Sequence, residues 1–535
     1  MPQVHARLVT GAQMARIDRG AIERGVSGIR LMEYAGRAAA RVLDDLVGGF
    51  QGKRIVVLCG KGNNGGDGFV IADLAAAGGA SVSAFLLAME DQVTGDALHH
   101  LSQARKNGLE VQEIVECKDL ERIRPALSNA SAAVDALLGT GIRGGPRGLI
   151  AGAIETLRDA ACPVLAVDVP SGLDADTGRA DGICAAATRT VTFGIPKIGQ
   201  FRFPGRSSCG SLYCADIGLP PAAVAAEKVN VHLIAAHGGA SLLPRRPPDA
   251  HKGDCGRVVI LAGSTGFTGA ASLSAQGALR SGAGLVRVGV PESLNDILEV
   301  KVTEAMTHPL PEVRKHRCLA LRARGDVQRL VAAADCVAMG PGLGTHRETV
   351  ELVRRIVPEI RVPLILDADG INAFAGAPEN LKTRTAPTVL TPHPGEFARL
   401  TGIGSEEVGS DPVGSAQTLA GEVGVIVVLK GAPTVVAVPG GRTYINPSGN
   451  AGMASGGSGD VLTGILAALI GQGLDPESAA CLGVYLHGLA GDLCAERLGE
   501  AGLIAGDVAA ALPGALRVIE TGADRGRYIQ FPTLN

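Results

Sequence analysis

Residues 54–77 read RIVVLCGKGNNGGDGFVIADLAAA, and residues 257–280 read RVVILAGSTGFTGAASLSAQGALR. Each stretch opens with a short run rich in β-branched residues, passes through a glycine-rich turn, and closes in an alanine- and leucine-rich segment. A strand, a tight turn and a helix in that order form the opening unit of a parallel, helix-covered sheet. Two such openings far apart in one chain predict an α/β protein of two domains. In both, the polar turn lies at the carboxyl end of a strand, where open α/β sheets gather their sites.

Working outward, the first half offers further strands at Ser81–Leu87, Ala132–Leu137, Val164–Val167 and Thr190–Phe193. The second half offers Cys336–Met339, Leu364–Leu366 and Val425–Leu429. Helices are expected over 69–77, 270–280 and 461–470. Proline pairs and the run PRRPP at 244–248 mark a join, so the expected division is a first domain over 1–222, a join over 223–250 and a second domain over 251–535. No period of 20–50 residues repeats.

Composition excludes several classes. The chain has 535 residues, 46% hydrophobic and 19% charged, which suits a globular protein with ample core. Its net charge of −3, aromatic content of 3% and lack of tryptophan argue against a nucleic-acid partner. Apolar runs fall short of the roughly 20 residues of a membrane span, and the N-terminus has no apolar core of a secretory signal. The eleven cysteines are dispersed without zinc spacing. A cytoplasmic protein with reduced thiols is expected.

In the first half, GKGNNGGDG (60–68), GTGIRGG (139–145) and DVPSGLDAD (168–176) follow successive strands, so they converge on one pocket. Glycine N–H groups at a helix start suit an anion, although GGDG alone reads equally well as a turn capped by Asp67. Oxygens of Asn64, Asp135 and Ser171 can jointly hold a monovalent or hard cation. Taken alone, Asp135 reads as a buried, hydrogen-bonded strand residue.

These loops, with LMEYAGRAAA (31–40) and FGIPKIG (193–199), resemble the NAD(P)H-hydrate epimerase domain over about the first 220 residues. The resemblance implies a Rossmann-like three-layer α/β fold. It implies that Asn63, Asn64, Gly65, Gly66 and Asp67, with Gly139, Thr140, Gly141, Ile142, Arg143, Gly144 and Gly145, bind the dinucleotide hydrate. It further implies potassium on Asn64, Asp135 and Ser171, and Asp168 at the nicotinamide end. Interconverting two C6 epimers needs a proton relay at the ring, which makes Asp168 the candidate acid/base. Lys197 can assist, though a lone loop lysine is usually a solvated charge.

The second half brings MGPGLG (339–344), LDADGIN (366–372), TPHPGE (391–396), LKGAPT (429–434) and GGSGDVLTG (456–464) after apolar runs. Phosphoryl transfer explains these residue types: backbone donors hold the moving phosphoryl, and a carboxylate beside them takes the proton of the attacking hydroxyl. GGSGD supplies both, with Asp460 as the base. Asp367 and Asp369 are weaker candidates for Mg2+. His393, fixed between two prolines, reads as a substrate contact.

The set is similar to the ribokinase-like superfamily, and within it to the ADP/ATP-dependent NAD(P)H-hydrate dehydratase, from about residue 251 to the C-terminus. That resemblance implies hydrate contacts at Ala270, Gly342, His393 and Asp460. It places the adenine nucleotide, with Mg2+, on Lys430, Gly431, Ala432, Pro433, Thr434 and Gly459. GFTGA departs from the Met-Pro-Gly-Ala form expected at the Ala270 loop. The combined expectation is a bifunctional repair enzyme for NADHX and NADPHX, an isomerase and a lyase in one homo-oligomeric chain. The alternative is a vitamin or sugar kinase with a non-catalytic first domain.

Overall fold

The computed structural model describes residues 4–141 and 144–531. The chain forms two compact units, one of residues 7–231 and 526–531, the other of residues 4–6 and 232–525. The expected join over 223–250 is therefore divided: the chain changes unit at 231/232. The C-terminal residues also return to the first unit rather than ending in the second. Gln530 donates to Leu212 O and accepts from Cys214 N, which satisfies the exposed backbone edge of an outer strand.

The first unit holds seven parallel strands: β1 (Arg54–Cys59), β2 (Ser81–Leu86), β3 (Val111–Glu113), β4 (Ala132–Ala136), β5 (Val164–Val167), β6 (Arg189–Phe193) and β7 (Ser211–Ala215). Their order is β3-β2-β1-β4-β5-β6-β7. Side chains of β1 alternate between two cores: Ile55, Val57 and Cys59 join one, Val56 and Leu58 the other. Both faces are covered by helices, so the strands read as continuous apolar runs. The order reverses between β1 and β4, and the carboxyl ends there form the crevice of a doubly wound sheet.

In the second unit, β8 (Arg257–Leu261), β9 (Leu285–Pro291), β10 (Met306–Leu310), β11 (Cys336–Met339), β12 (Leu364–Leu366), β13 (Thr388–Leu390), β14 (Ile426–Leu429), β15 (Val435–Ala437) and β16 (Thr443–Ile445) lie in the order β16-β15-β14-β13-β12-β11-β8-β9-β10. Neighbours from β10 through β14 run parallel, and β15 and β16 are antiparallel additions. Here the order reverses between β8 and β11.

Four helices matter most for the sites: α1 (Gly11–Glu23), α2 (Asn63–Ala77), α3 (Thr268–Arg280) and α4 (Ser458–Gly471). Helix α2 begins six residues before the expected start at Phe69, so NNGGDG is the first turns of a helix and not a loop. Glycine inside a helix costs about 1 kcal/mol against alanine, but a Cβ at Gly65 would overlap the Gly60 carbonyl at the end of β1. The glycines let helix and strand end approach. Helix α4 likewise starts at Ser458, with Gly457 before it at φ 94°, a conformation glycine adopts without strain. Helix α3 lies alongside α4, with Leu273 beside Gly457 and Gly277 beside Val461. The two helices therefore run in the same direction, with α3 beginning before the level at which α4 starts. By length and composition, one described helix, Pro476–Leu498, could cross a membrane, but 78% of its apolar window is buried in the unit.

Candidate active sites

At the crevice of the first unit, Asp168 follows β5 directly and adopts φ 64°, a left-handed conformation unusual for a residue with a side chain. Its backbone is held there by Val191 O, which accepts from Asp168 N at 2.8 Å, and by Gln200 Nε2, which donates to Asp168 O at 2.8 Å. The Asp168 carboxylate pairs with the ammonium of Lys197 and accepts from Thr192 Oγ1 at 3.0 Å. Lys197 is 1% exposed and also donates to Thr192 Oγ1 and Phe193 O. It is thus a buried partner of the candidate acid/base and not the solvated loop charge that its isolation in sequence suggested.

Two more carboxyls press on this pair. Asp67 in α2 is buried, and burial, reinforced by Asp168 and Asp18, pushes its carboxyl well above the ordinary range. Asp18 in α1 is pushed up to about 6, by burial first and against the pull of Lys197. Its Oδ1 is buried with no hydrogen-bond partner among the described residues. Three carboxyls share one ammonium, so the unpaired two are shifted towards protonation, Asp67 the further. A protonated Asp67 does not repel an anion at the start of α2. Sequence reading had no signal for Asp18, because it lies in an amphipathic N-terminal helix 150 residues from Asp168.

Beside this cluster, Asn64, Asp135 and Ser171 come together around the turn after β4. Ser171 donates to Asp135 through Oγ at 2.5 Å and through its backbone N at 2.8 Å. Asn64 Nδ2 donates to Leu138 O at 3.0 Å, which leaves its side-chain oxygen beside Gly139. Asp135 is fully buried, and desolvation raises its pKa against the pull of these donors. Hard oxygens gathered round a buried carboxylate fit a monovalent cation. Gly139, Thr140 and Gly141 follow in the same turn, with Gly144 and Gly145 beyond. Ile142 and Arg143 lie outside the described residues.

The crevice of the second unit is built on Asp460, in the first turn of α4, where N–H groups lack intrahelical partners. Burial, then Asp367, push the Asp460 carboxyl up to about 7, against the opposing pull of Lys430. Asp367, 1% exposed, has both oxygens engaged: Lys430 donates to Oδ1 at 2.8 Å and Thr463 to Oδ2 at 2.8 Å. Glu396 lies 3.6 Å from the same ammonium. Burial pulls Lys430 down, but Asp367 and Glu396 outweigh it and hold the ammonium above its ordinary pKa. Its Nζ sits under Gly459, so a fixed positive charge lies beneath the start of α4.

The remaining residues frame this centre. His393 Nδ1 accepts from Gly395 N at 3.0 Å and so caps the helix Pro394–Thr401, while its ring stays half exposed. Gly342 touches Phe267 and Ala270 at the start of α3. Asp369 is partly exposed; its two oxygens accept from Gly344 N and Asn372 Nδ2. Gly431, Ala432, Pro433 and Thr434 follow Lys430 in one turn, where Thr434 Oγ1 donates to Gly431 O. One contributor escaped the sequence reading: His487, half-buried and held neutral with its pKa lowered to about 4 by desolvation, contacts Ser458 Oγ at 3.2 Å.

Two family profiles match this architecture. One described as NAD(P)H-hydrate dehydratase matches residues 258–513, and one described as YjeF-related protein N-terminus matches residues 28–199. A Moorella thermoacetica protein, named a bifunctional NAD(P)H-hydrate repair enzyme, is 45% identical over 96% of this chain and 97% of its own length. The chain belongs to the bifunctional NAD(P)H-hydrate repair enzyme family. A second repair enzyme, from Thermofilum pendens, is 41% identical over 95% of this chain and 96% of its own length. Among solved structures, the Bacillus subtilis ADP/ATP-dependent NAD(P)H-hydrate dehydratase, co-crystallised with ATP/Mg2+, is 32% identical, covering 53% of this chain and 96% of its own, with TM-score 0.46. In this repair enzyme, the dehydratase profile covers the crevice of β8–β14, and the YjeF-related profile covers α2 and the turns after β4 and β5.

Proposed function

We infer that this chain repairs hydrated nicotinamide cofactors with two activities, epimerising the R and S hydrates of NAD(P)H in the first unit and dehydrating the S hydrate in the second. The observation that carries the dehydratase reading is Asp460 within a helix-start anion hole, its carboxyl poised near neutrality. A general base works best with a pKa near the working pH. Relatives with the repair-enzyme name span both units, which favours this reading over a lone vitamin or sugar kinase.

In the second unit, Asp460 accepts the proton of the C6 hydroxyl as that oxygen attacks the terminal phosphoryl of ADP or ATP. N–H groups of Gly459 and its neighbours, backed by the Lys430 ammonium, stabilise the charge on the transferred group. The ring nitrogen then expels the phosphate from C6, and loss of a C5 proton restores the double bond. With ADP the products are NAD(P)H, AMP and orthophosphate. Gly342, Ala270 and His393 hold the hydrate, and the turn 430–434 holds the nucleotide. Mg2+ arrives with the nucleotide phosphates. Asp369, partly exposed, fits it through water, whereas Asp367, 1% exposed and paired with Lys430, is shut off from solvent.

In the first unit, Asp168 moves the proton of the C6 hydroxyl as water leaves one face of the ring and adds to the other. Lys197 fixes Asp168 and its charge. Residues 63–67 and 139–145 hold the dinucleotide, and Asn64, Asp135 and Ser171 hold potassium, which supplies fixed positive charge at the turn. The test feeds mixed R and S hydrates, ADP and Mg2+ to the enzyme and follows NAD(P)H absorbance and orthophosphate. A stable phosphorylated product without NAD(P)H would replace this reading with a kinase.

A further inference from the structure

We propose that Phe267 is the specificity residue of the dehydratase crevice, giving the planar vinylogous-amide side of the hydrate's nicotinamide-derived ring an aromatic face to stack on. The proposal rests on the dehydratase reading above and adds a residue to it.

Phe267 is 57% exposed. Single exposed apolar side chains are ordinary, and the ring is distinguished by its support and its place. Its backbone N donates to Ser264 O at 2.9 Å, and its O accepts from Ala270 N at 3.2 Å. The loop is tied across the crevice by Ser264 Oγ donating to Gly342 O at 2.8 Å. The next residue, Thr268, is held by Lys301 Nζ at 2.8 Å. An aromatic ring on so fixed a backbone loses little freedom on binding.

Its place is the N-cap of α3, at the end where α4 begins with Gly457 and Asp460. It packs against Gly342, where any Cβ would collide with Phe267 Cβ. Gly342 and Ala270 are the positions assigned above to the hydrate, whereas the nucleotide turn follows β14 three strands beyond β11 in the sheet. Phe267 therefore stands on the hydrate side of the crevice. A planar vinylogous amide presents a polarisable face that an aromatic side chain desolvates. The chain has ten phenylalanines, five tyrosines and no tryptophan, so an exposed aromatic at the site is not a product of abundance.

The absence of tryptophan makes the test direct. F267W carries the enzyme's sole tryptophan, and Met306→Trp, at the start of the edge strand β10, serves as control. Both are titrated with acid-prepared NADH hydrate, which does not absorb at the tryptophan emission wavelength, and separately with ADP. Expected is saturable quenching of F267W by hydrate alone, with Met306→Trp unaffected. In steady state, Phe267→Ala raises the KM for S hydrate about tenfold, with kcat and the KM for ADP within twofold, and Phe267→Tyr restores the wild-type KM. Quenching by ADP alone, or an unchanged hydrate KM in Phe267→Ala, overturns the proposal while wild-type turnover stands. Absent wild-type NADH formation would instead remove the dehydratase reading itself.

Discussion

The Lys430 ammonium lies 2.8 Å from Oδ1 of the buried Asp367 carboxylate, under the helix turn that carries Asp460. Removing one partner leaves an uncompensated charge, which costs about 3–5 kcal/mol. Lys430→Met is expected to lower the denaturation midpoint accordingly and to abolish dehydration. The double variant Lys430→Met/Asp367→Leu removes both charges and should recover most of the stability, measured by chemical denaturation, without recovering NAD(P)H formation.

Asp460 couples activity and stability to pH with opposite signs. Its carboxyl titrates near 7 in the fold, against about 3.9 unfolded, so the fold binds this proton more tightly than the unfolded chain. The stabilisation is complete below pH 4 and is lost as pH rises through 7. Turnover requires the carboxylate and should fall below pH 7. Asp460→Asn should therefore lose dehydration by a factor of about 10²–10⁴ yet melt higher than wild type at pH 8. The gain is roughly 1–2 kcal/mol, fading towards pH 4. A scanning calorimetry series over pH reads it out.

Lys197 and Asp168 form the equivalent test in the first unit. Lys197→Met strands the Asp168 carboxylate and should slow exchange of R and S hydrates at least about 100-fold. Chromatography of a mixed hydrate fed with ADP should then show S consumed and R left behind. Equal consumption of both epimers would remove Lys197 from the proposed role.

Ser171 donates twice to the buried Asp135 carboxylate. Ser171→Ala removes the hydroxyl bond, at a cost of about 1–3 kcal/mol. Epimerisation measured against KCl, with choline chloride holding ionic strength constant, should show a higher half-saturating potassium concentration in the variant. A potassium-independent wild type would refute the cation assignment.

The sequence by itself determined the two α/β units. Strand runs such as Val164–Val167 and Cys336–Met339 coincide with the observed β5 and β11, because strands buried on both faces must be apolar throughout. The motifs also marked which turns face the crevices, since residues at the carboxyl ends of neighbouring parallel strands have nowhere else to go. Element starts were less legible: NNGGDG reads as a loop by propensity, and only packing of α2 against the Gly60 carbonyl makes glycine acceptable there. Tertiary structure alone decided the charge states. The pairing of Lys197 with Asp168, the pressure of Asp18 on both, and the placement of Lys430 between Asp367 and Glu396 bring together residues from distant parts of the chain. A carboxyl's pKa depends on burial and on the charges around it, and spacing along a sequence records neither.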